Sequence, residues 1–144
     1  MTKFNCCFGL AMVYYDYSVL MLAIAGHKIK ENRRDKHMYL EEYKRWLAAD
    51  LEDADLNPEL ARIEGNDEEI KDRFAVSLKF GTAGLRGVLG AGTNRMNIYV
   101  VRQATQGLAN WVKTQGGNQT VAISYDSRIK SDVFAKTAAG VLAA

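Results

Sequence analysis

Several chemically useful residues are scarce in this sequence of 144 residues, which has one proline, two histidines and two cysteines. Cys6 and Cys7 are adjacent, and neighbouring cysteines rarely bridge each other because the geometry is strained. No other cysteine is present, and the histidines are only His27 and His37. The sequence therefore predicts neither a disulfide framework nor a zinc site, and it favours a reducing, cytoplasmic compartment.

A balanced distribution of charge is also missing, although the net charge is only +2. Residues 1–37 carry a net charge of +3, residues 38–79 carry −6, and residues 80–144 carry +5. The basic last part suits a phosphorylated ligand or a nucleic acid, but its lysines and arginines form no run. We therefore expect a small phosphorylated ligand and no nucleic acid.

The first part contains no clean apolar run of membrane-spanning length. Residues 8–25 are mostly apolar but include Asp16, and they number about 18 where a spanning helix needs roughly 20. Three interpretations of residues 1–37 stay open: an extension upstream of a natural start at Met38, a signal or anchor, or a small subdomain. We favour the first, outside the fold, and we expect no membrane partner.

Residues 38–77 have the pattern of a leading helical segment rich in acidic residues. Apolar residues recur at helical spacing from Met38 onward. A second helix is expected to begin at Pro58 with Asn57 as its N-cap, and a third is expected to be capped by Asp67.

One acidic pattern in this segment imitates a calcium-binding loop. Asp53, Asp55, Asn57 and Glu64 occupy loop positions 1, 3, 5 and 12 of an EF-hand. The sixth position must adopt a positive φ, and here it is Pro58, whose ring fixes φ near −65°. This residue excludes an ordinary calcium site.

Residues 78–144 have the pattern of an α/β domain. Two amphipathic helices are predicted, one over Asn97–Val112 and one beginning at a capping Ser131. Between them, Val121–Tyr125 is a short apolar run flanked by turn residues, which predicts a buried central strand. Its expected parallel neighbour is a strand near Leu78–Phe80, joined by a right-handed crossover through the first helix.

Two loops of this part could bind a phosphate group. The glycine-rich loop 81–87 fits neither common nucleotide-binding motif, but it offers the hydroxyl of Thr82 and the guanidinium of Arg86. Asp126 and Arg128 follow the predicted central strand, at the edge of a sheet where ligands usually bind. The structural alternatives stay open: a tight turn in the first loop, and a turn held by an Asp–Arg pair in the second.

The same loops resemble those of a known enzyme family. Residues 80–87, Phe-Gly-Thr-Ala-Gly-Leu-Arg-Gly, are similar to the first strand and loop of the α-D-phosphohexomutases. Residues 94–97, 104–109 and 125–128 resemble three further motifs of that family, in the same order. The resemblance covers residues 38–144 and is strongest to the phosphoglucomutase/phosphopentomutase branch.

This resemblance implies a mixed, mostly parallel sheet with flanking helices, as the first domain of a four-domain isomerase. Such an enzyme interconverts a sugar 1-phosphate and a sugar 6-phosphate, here by expectation of glucose, through a phosphoserine and a sugar 1,6-bisphosphate. Mg²⁺ holds the phosphoserine and polarises the phosphoryl group. The residues assigned to substrate binding by the resemblance are Arg86, Thr82, Gly84 and Arg128.

Two motifs of the family are missing from these residues. No serine precedes His27 or His37, so the phosphoserine loop is absent, and so is the Asp-x-Asp-x-Asp loop that binds magnesium. The last predicted helix runs to Ala144 without a stop signal, which suggests a fragment that is inactive by itself. Two alternatives stay open: a non-catalytic α/β module that binds phosphorylated ligands or a protein, and a nucleic-acid binder whose affinity falls steeply with salt.

The interpretation of residues 1–37 as an extension makes a testable prediction. We expect that deleting them leaves soluble expression and the thermal midpoint unchanged or improved, because the predicted folded part starts at Met38. Thermal unfolding of the two chains measures this directly. A loss of several degrees would show that the segment packs on the domain.

Overall fold

The computed structural model describes residues 5–7, 33–82, 84–116 and 119–144. In chain order, its elements are β1 (Asn5–Cys7), α1 (Arg33–Ala48), α2 (Leu56–Arg62), α3 (Asp67–Phe74), β2 (Phe80–Gly81), β3 (Gly84–Val88), α4 (Ile98–Thr114) and α5 (Ser131–Ala143). The helices bury two apolar clusters, one within the leading segment and one between the strands and the last two helices.

The leading helices bury the apolar stripe that the spacing predicts. Tyr43, Leu60 and Phe74 are among the buried side chains of this first cluster. Tyr43 and Trp46 both meet the ring of Phe74 edge to face, with centroids 5.8 Å apart. Each buried side chain of this size stabilises the fold by roughly 1.5–3 kcal/mol, so three short helices become stable together. Trp46 also contacts Tyr99 of α4, at 5.3 Å between centroids.

Two predicted helix starts in this segment are wrong by one or two residues. Helix α2 follows Asp55 and begins at Leu56, so Asn57 lies inside its first turn instead of capping it. Proline is tolerated there because amides in the first turn have no intrahelical partner. The cap of α3 is Asn66, whose side chain accepts a hydrogen bond from the Glu69 amide at 3.2 Å, and Asp67 is the first helical residue.

The sheet differs from the prediction in the relative direction of its strands and in the residues that form them. Its strand order is β1-β3-β2, and both pairs are antiparallel. The predicted central strand Val121–Tyr125 belongs to no strand, and Tyr125 is 62% exposed. The expected parallel pairing is therefore wrong for the described residues. Instead, β2 turns directly back into β3 and pairs with it in the antiparallel direction.

The second cluster packs α4 and α5 against the inner face of β3. Its fully buried members include Met96, Val101 and Phe134. The predicted first helix is confirmed, with Asn97 as the N-cap of α4 and its side chain accepting from the Val100 amide at 3.0 Å. Ser131 is not the cap expected for α5, because it is already the first helical residue and donates its hydroxyl to Asp126 instead, at 3.0 Å.

A buried guanidinium joins the leading helices to the second part of the chain. The side chain of Arg73 is 10% exposed and binds the carboxylates of Glu59 at 2.6 Å and Glu69 at 2.8 Å. Arg73 also donates to the carbonyl oxygen of Ala91 at 3.2 Å, and the Ala91 amide donates to Glu59 at 2.9 Å. Helices α2 and α3 therefore hold the loop that leads into α4.

Two glycines allow the loop before α4 to lie close to α2 and α3. Gly90 and Gly92 have positive φ angles of 146° and 125°. A Cβ atom at Gly90 would lie 2.6 Å from a carboxylate oxygen of Glu59, and one at Gly92 would lie 2.7 Å from the carbonyl oxygen of Arg73. The buried amide of Asn97 donates to both glycine carbonyls, at 2.8 and 2.9 Å. A side chain at either position would separate the loop from the helices.

Two structural findings bear on the predicted boundary at Met38. Strand β1 pairs with β3, and α1 begins at Arg33, before the expected boundary at Met38. A deletion of residues 1–37 would remove both β1 and the first turn of α1, and the division of the chain there stays a prediction. The apolar segment 8–25, and the interpretations attached to it, lie outside the described residues. None of the helices in the described part is long and apolar enough to span a membrane.

The buried position of Arg73 makes a prediction about stability. We expect Arg73→Ala to lower the free energy of unfolding by about 3 kcal/mol, because the carboxylate of Glu59 loses its partner while mostly buried. Urea denaturation is the measurement. Arg45→Ala is the matched control, since Arg45 holds Glu42 on the surface and such pairs contribute about 0.5 kcal/mol. Equal losses in the two variants would contradict a central role for Arg73.

Candidate functional site

The glycine-rich loop of the sequence is a tight β-hairpin. Gly81 of β2 pairs with Gly84 of β3, and the turn between them contains the exposed Thr82. Gly84 has a φ of 98°, a conformation that favours glycine and lets the chain reverse within two residues. Of the predicted substrate-binding residues, Thr82, Gly84 and Arg86 thus share one small element.

The alternation of side chains along β3 points Arg86 away from the core. Leu85 is buried in the second apolar cluster, whereas Arg86, the next residue, is exposed. Successive side chains of a strand point to opposite faces, so burying Leu85 requires Arg86 to face outward. The guanidinium therefore stands on the outer face of the hairpin.

The acidic leading segment pairs with three of the seven cations in residues 80–144, which are Arg95, Arg102 and Lys130. Asp72 binds Arg95, and Glu52 binds Arg102 through two hydrogen bonds of 2.7 and 2.6 Å. The hydrogen bond from Arg102 lowers the pKa of Glu52. These contacts join the two oppositely charged parts that the sequence shows.

Arg86 is not among these paired cations. Within the described residues it has neither an ion pair nor a hydrogen bond through its side chain. Most other described arginines hold a carboxylate, and these are Arg45, Arg73, Arg95, Arg102 and Arg128. A guanidinium that is exposed and uncompensated is available to bind an anion from solution.

The second predicted loop contains the Asp–Arg pair of its structural alternative. Arg128 donates to Asp126 through its backbone amide at 3.0 Å and through Nε at 2.7 Å, and a third hydrogen bond comes from Nη2. These bonds, with that of Ser131, hold the pKa of the Asp126 carboxyl well below its usual range, the guanidinium being the largest cause. Arg128 therefore forms part of the turn that precedes α5, and it is not on the hairpin of Arg86.

A polar cavity that the sequence did not indicate lies near the start of α5. It has a volume of about 190 Å³ and is lined by residues of three regions, including Asp53, Asn97 and Lys130. Lys130 has a φ of 63° and binds Asp53 at 2.6 Å and Asp55 at 3.1 Å. Burial lowers the pKa of Lys130, but the hydrogen bonds to these two aspartates outweigh it and leave the pKa raised.

This ion pair explains what the false calcium loop does. The ammonium group of Lys130 lies where Asp53 and Asp55 would have to hold a cation. In the part of the chain that the structure describes, no group of three potential metal ligands occurs. These residues do not fit the Mg²⁺ that the resemblance implies. The acidic pattern in the sequence indicated Asp53 and Asp55, but it did not indicate that Lys130 pairs with them.

The low pKa of Asp126 makes a prediction about acid stability. A carboxyl whose pKa is lower in the folded state stabilises the fold above its unfolded pKa, near 4, and this contribution disappears as the pH falls. We expect Asp126→Asn to be less stable than the parent chain at pH 7, and the difference to shrink below about pH 4. Thermal unfolding across this range measures it.

Asp132→Asn is the control for this experiment, because Asp132 holds Lys136 on an exposed face at 3.6 Å. A stability difference that is the same at pH 7 and pH 3 would contradict the role given to the Asp126 carboxylate.

Comparison with known proteins agrees with the residue pattern of the hairpin. Residues 77–144 match the sequence model of the phosphoglucomutase/phosphomannomutase family, alpha/beta/alpha domain I. A phosphoglucomutase of Staphylococcus aureus is 43% identical over 75 residues, which are 52% of this chain and 14% of the relative. The protein of another strain is 41% identical over 78 residues, 54% of this chain and 14% of the relative.

The match therefore spans only 14% of the length of these relatives. No solved structure matches the chain significantly. The family match includes the whole hairpin, the loop held by Arg73, and helices α4 and α5. Residues 77–144 of this chain are therefore similar to domain I of the phosphoglucomutase/phosphomannomutase family.

Proposed function

We propose that this chain is the N-terminal part of a phosphohexomutase that interconverts a sugar 1-phosphate and a sugar 6-phosphate, with glucose as the first candidate sugar. Two findings support the proposal: residues 77–144 match the phosphoglucomutase/phosphomannomutase family, and the similar proteins of Staphylococcus aureus are named phosphoglucomutases. The observation that carries it in this structure is the exposed, uncompensated guanidinium of Arg86 on the outer face of the hairpin.

In this proposal, Arg86 binds a phosphate group of the sugar phosphate. A guanidinium presents two parallel N–H groups that match two phosphate oxygens, which fixes orientation as well as charge. The hydroxyl of Thr82 adds a donor at the turn. Burial of Leu85 on the inner face holds β3 in place, so the arginine approaches the ligand from a rigid strand.

We propose further that the 144 residues do not catalyse the reaction by themselves. A phosphohexomutase needs a nucleophile that keeps the phosphoryl group between two half-reactions, and no serine precedes a histidine in this sequence. It also needs a metal ion to offset charge on the phosphoryl group, and the described residues do not fit one. Positioning and charge stabilisation supply nearly all of phosphoryl-transfer catalysis. The phosphoserine and the Mg²⁺ ligands would lie outside this sequence.

The proposal predicts weak binding of sugar phosphates that depends on Arg86. A charge-assisted contact contributes about 1.5–3 kcal/mol, which alone gives millimolar affinity at best. We expect glucose 1,6-bisphosphate to shift NMR signals of the hairpin in the parent chain, and the shifts to be largely lost in Arg86→Ala. No mutase turnover is expected from either protein.

Arg62→Ala is the matched control, because Arg62 is an exposed arginine on α2, away from the hairpin, with no ion pair among the described residues. Glucose 1,6-bisphosphate should shift the NMR signals of Arg62→Ala as much as it shifts those of the parent chain. Equal shifts in the parent chain and in Arg86→Ala would remove Arg86 from the site, and measurable turnover by the purified chain would refute its predicted inactivity.

A further inference from the structure

The register of the hairpin places a second cation beside Arg86. Strand β2 pairs Phe80 with Leu85 and Gly81 with Gly84. Lys79 directly precedes β2, and one step further along the same register places it opposite Arg86.

A contact beyond that step shows that the register continues. The next pair would be Leu78 with Gly87, and a Cβ atom placed on Gly87 would lie 2.8 Å from Cδ1 of Leu78. The side chain of Leu78 therefore lies over Gly87, as the register requires. Lys79, between Phe80 and Leu78, is thus directly across from Arg86.

The two cations share the outer face of the hairpin. Leu78 packs against the second apolar cluster and Leu85 is part of it, so both lie on the inner face. Their neighbours Lys79 and Arg86 point the opposite way, and both are exposed. Within the described residues, neither side chain has an ion pair or a hydrogen bond. By contrast, the leading acidic segment supplies carboxylates to Arg95, Arg102 and Lys130.

An uncompensated pair of like charges is unfavourable for the hairpin itself. Directly opposite residues of an antiparallel pair have Cβ atoms about 5 Å apart, and like charges at that distance destabilise the pairing. A phosphate group near neutral pH carries close to two negative charges. One such group between the two side chains would convert their repulsion into two attractive contacts.

We propose that Lys79 and Arg86 together form a two-cation site for the dianionic phosphate group of a phosphorylated ligand. Arg86 supplies the two-pronged contact, and Lys79 supplies a mobile point charge from the neighbouring strand. The proposal rests on the proposed function for the identity of the ligand, a sugar phosphate, but the anion site itself follows from the hairpin. Lys79 is then a residue that touches the ligand.

The test uses the whole 144-residue chain and four variants: Lys79→Gln, Lys79→Arg, Arg86→Gln and Lys113→Gln. Lys113 is the matched control, since it is exposed in the last turn of α4 and has no ion pair among the described residues. The probes are inorganic phosphate and glucose 1,6-bisphosphate, titrated by NMR at constant ionic strength. Thermal midpoints are measured without and with each probe.

We expect Lys79→Gln to weaken the binding of both probes about tenfold. Without a probe, its thermal midpoint should equal or exceed that of the parent chain, because a repulsion has been removed. Lys79→Arg should bind within about threefold of the parent chain, since it keeps the charge. Lys113→Gln should behave as the parent chain throughout.

Different results would separate this inference from the proposed function. If Arg86→Gln loses binding and Lys79→Gln does not, the two-cation site is wrong and the function proposed for Arg86 stands. If Lys79→Gln loses several degrees of thermal midpoint without any probe, Lys79 is a structural residue and the inference is overturned. If Lys79→Gln and Arg86→Gln both lose the binding of inorganic phosphate, the anion site stands. If the parent chain then binds glucose 1,6-bisphosphate no better than inorganic phosphate, the sugar-phosphate function fails.

Discussion

The interaction on which the rest of the structure depends is the buried ion pair between Arg73 and Glu59. The carboxylate of Glu59 binds the guanidinium with one oxygen and the Ala91 amide with the other, so α2, α3 and the loop before α4 meet at one residue. This loop ends in Asn97, whose amide ties Gly90 and Gly92 to the start of α4. The position of α4 relative to the leading helices therefore follows from a few buried polar contacts, which tolerate little change.

The same leading segment also determines which cations stay available. Its carboxylates neutralise Arg95, Arg102 and Lys130 of the basic part. The outer face of the hairpin is left without such a partner among the described residues. A chain with a net charge of only +2 thereby presents a concentrated positive charge at one small element. In the proposed site, this local charge would bind one phosphate group of a ligand.

Local features of the fold could be predicted from the sequence because they depend on neighbouring residues. Helix α4 lies where the amphipathic pattern of Asn97–Val112 predicts it, and Asn97 proves to be its N-cap. The caps of α2 and α3 were misplaced because Asp55 and Asn66, polar residues one or two positions earlier, occupy the cap positions, although only Asn66 caps with its side chain. The central strand Val121–Tyr125 was wrong because a short apolar run does not reveal whether a neighbouring strand pairs with it.

The sequence by itself determined the family motif of residues 80–87 and the division of the chain into an acidic and a basic part. Only the tertiary structure decided how the charges are paired. It placed Lys130 against Asp53 and Asp55, Arg95 against Asp72, and Arg102 against Glu52. The reason is that a Coulomb contact depends on distance in space between residues up to 77 positions apart, and no local pattern encodes that distance.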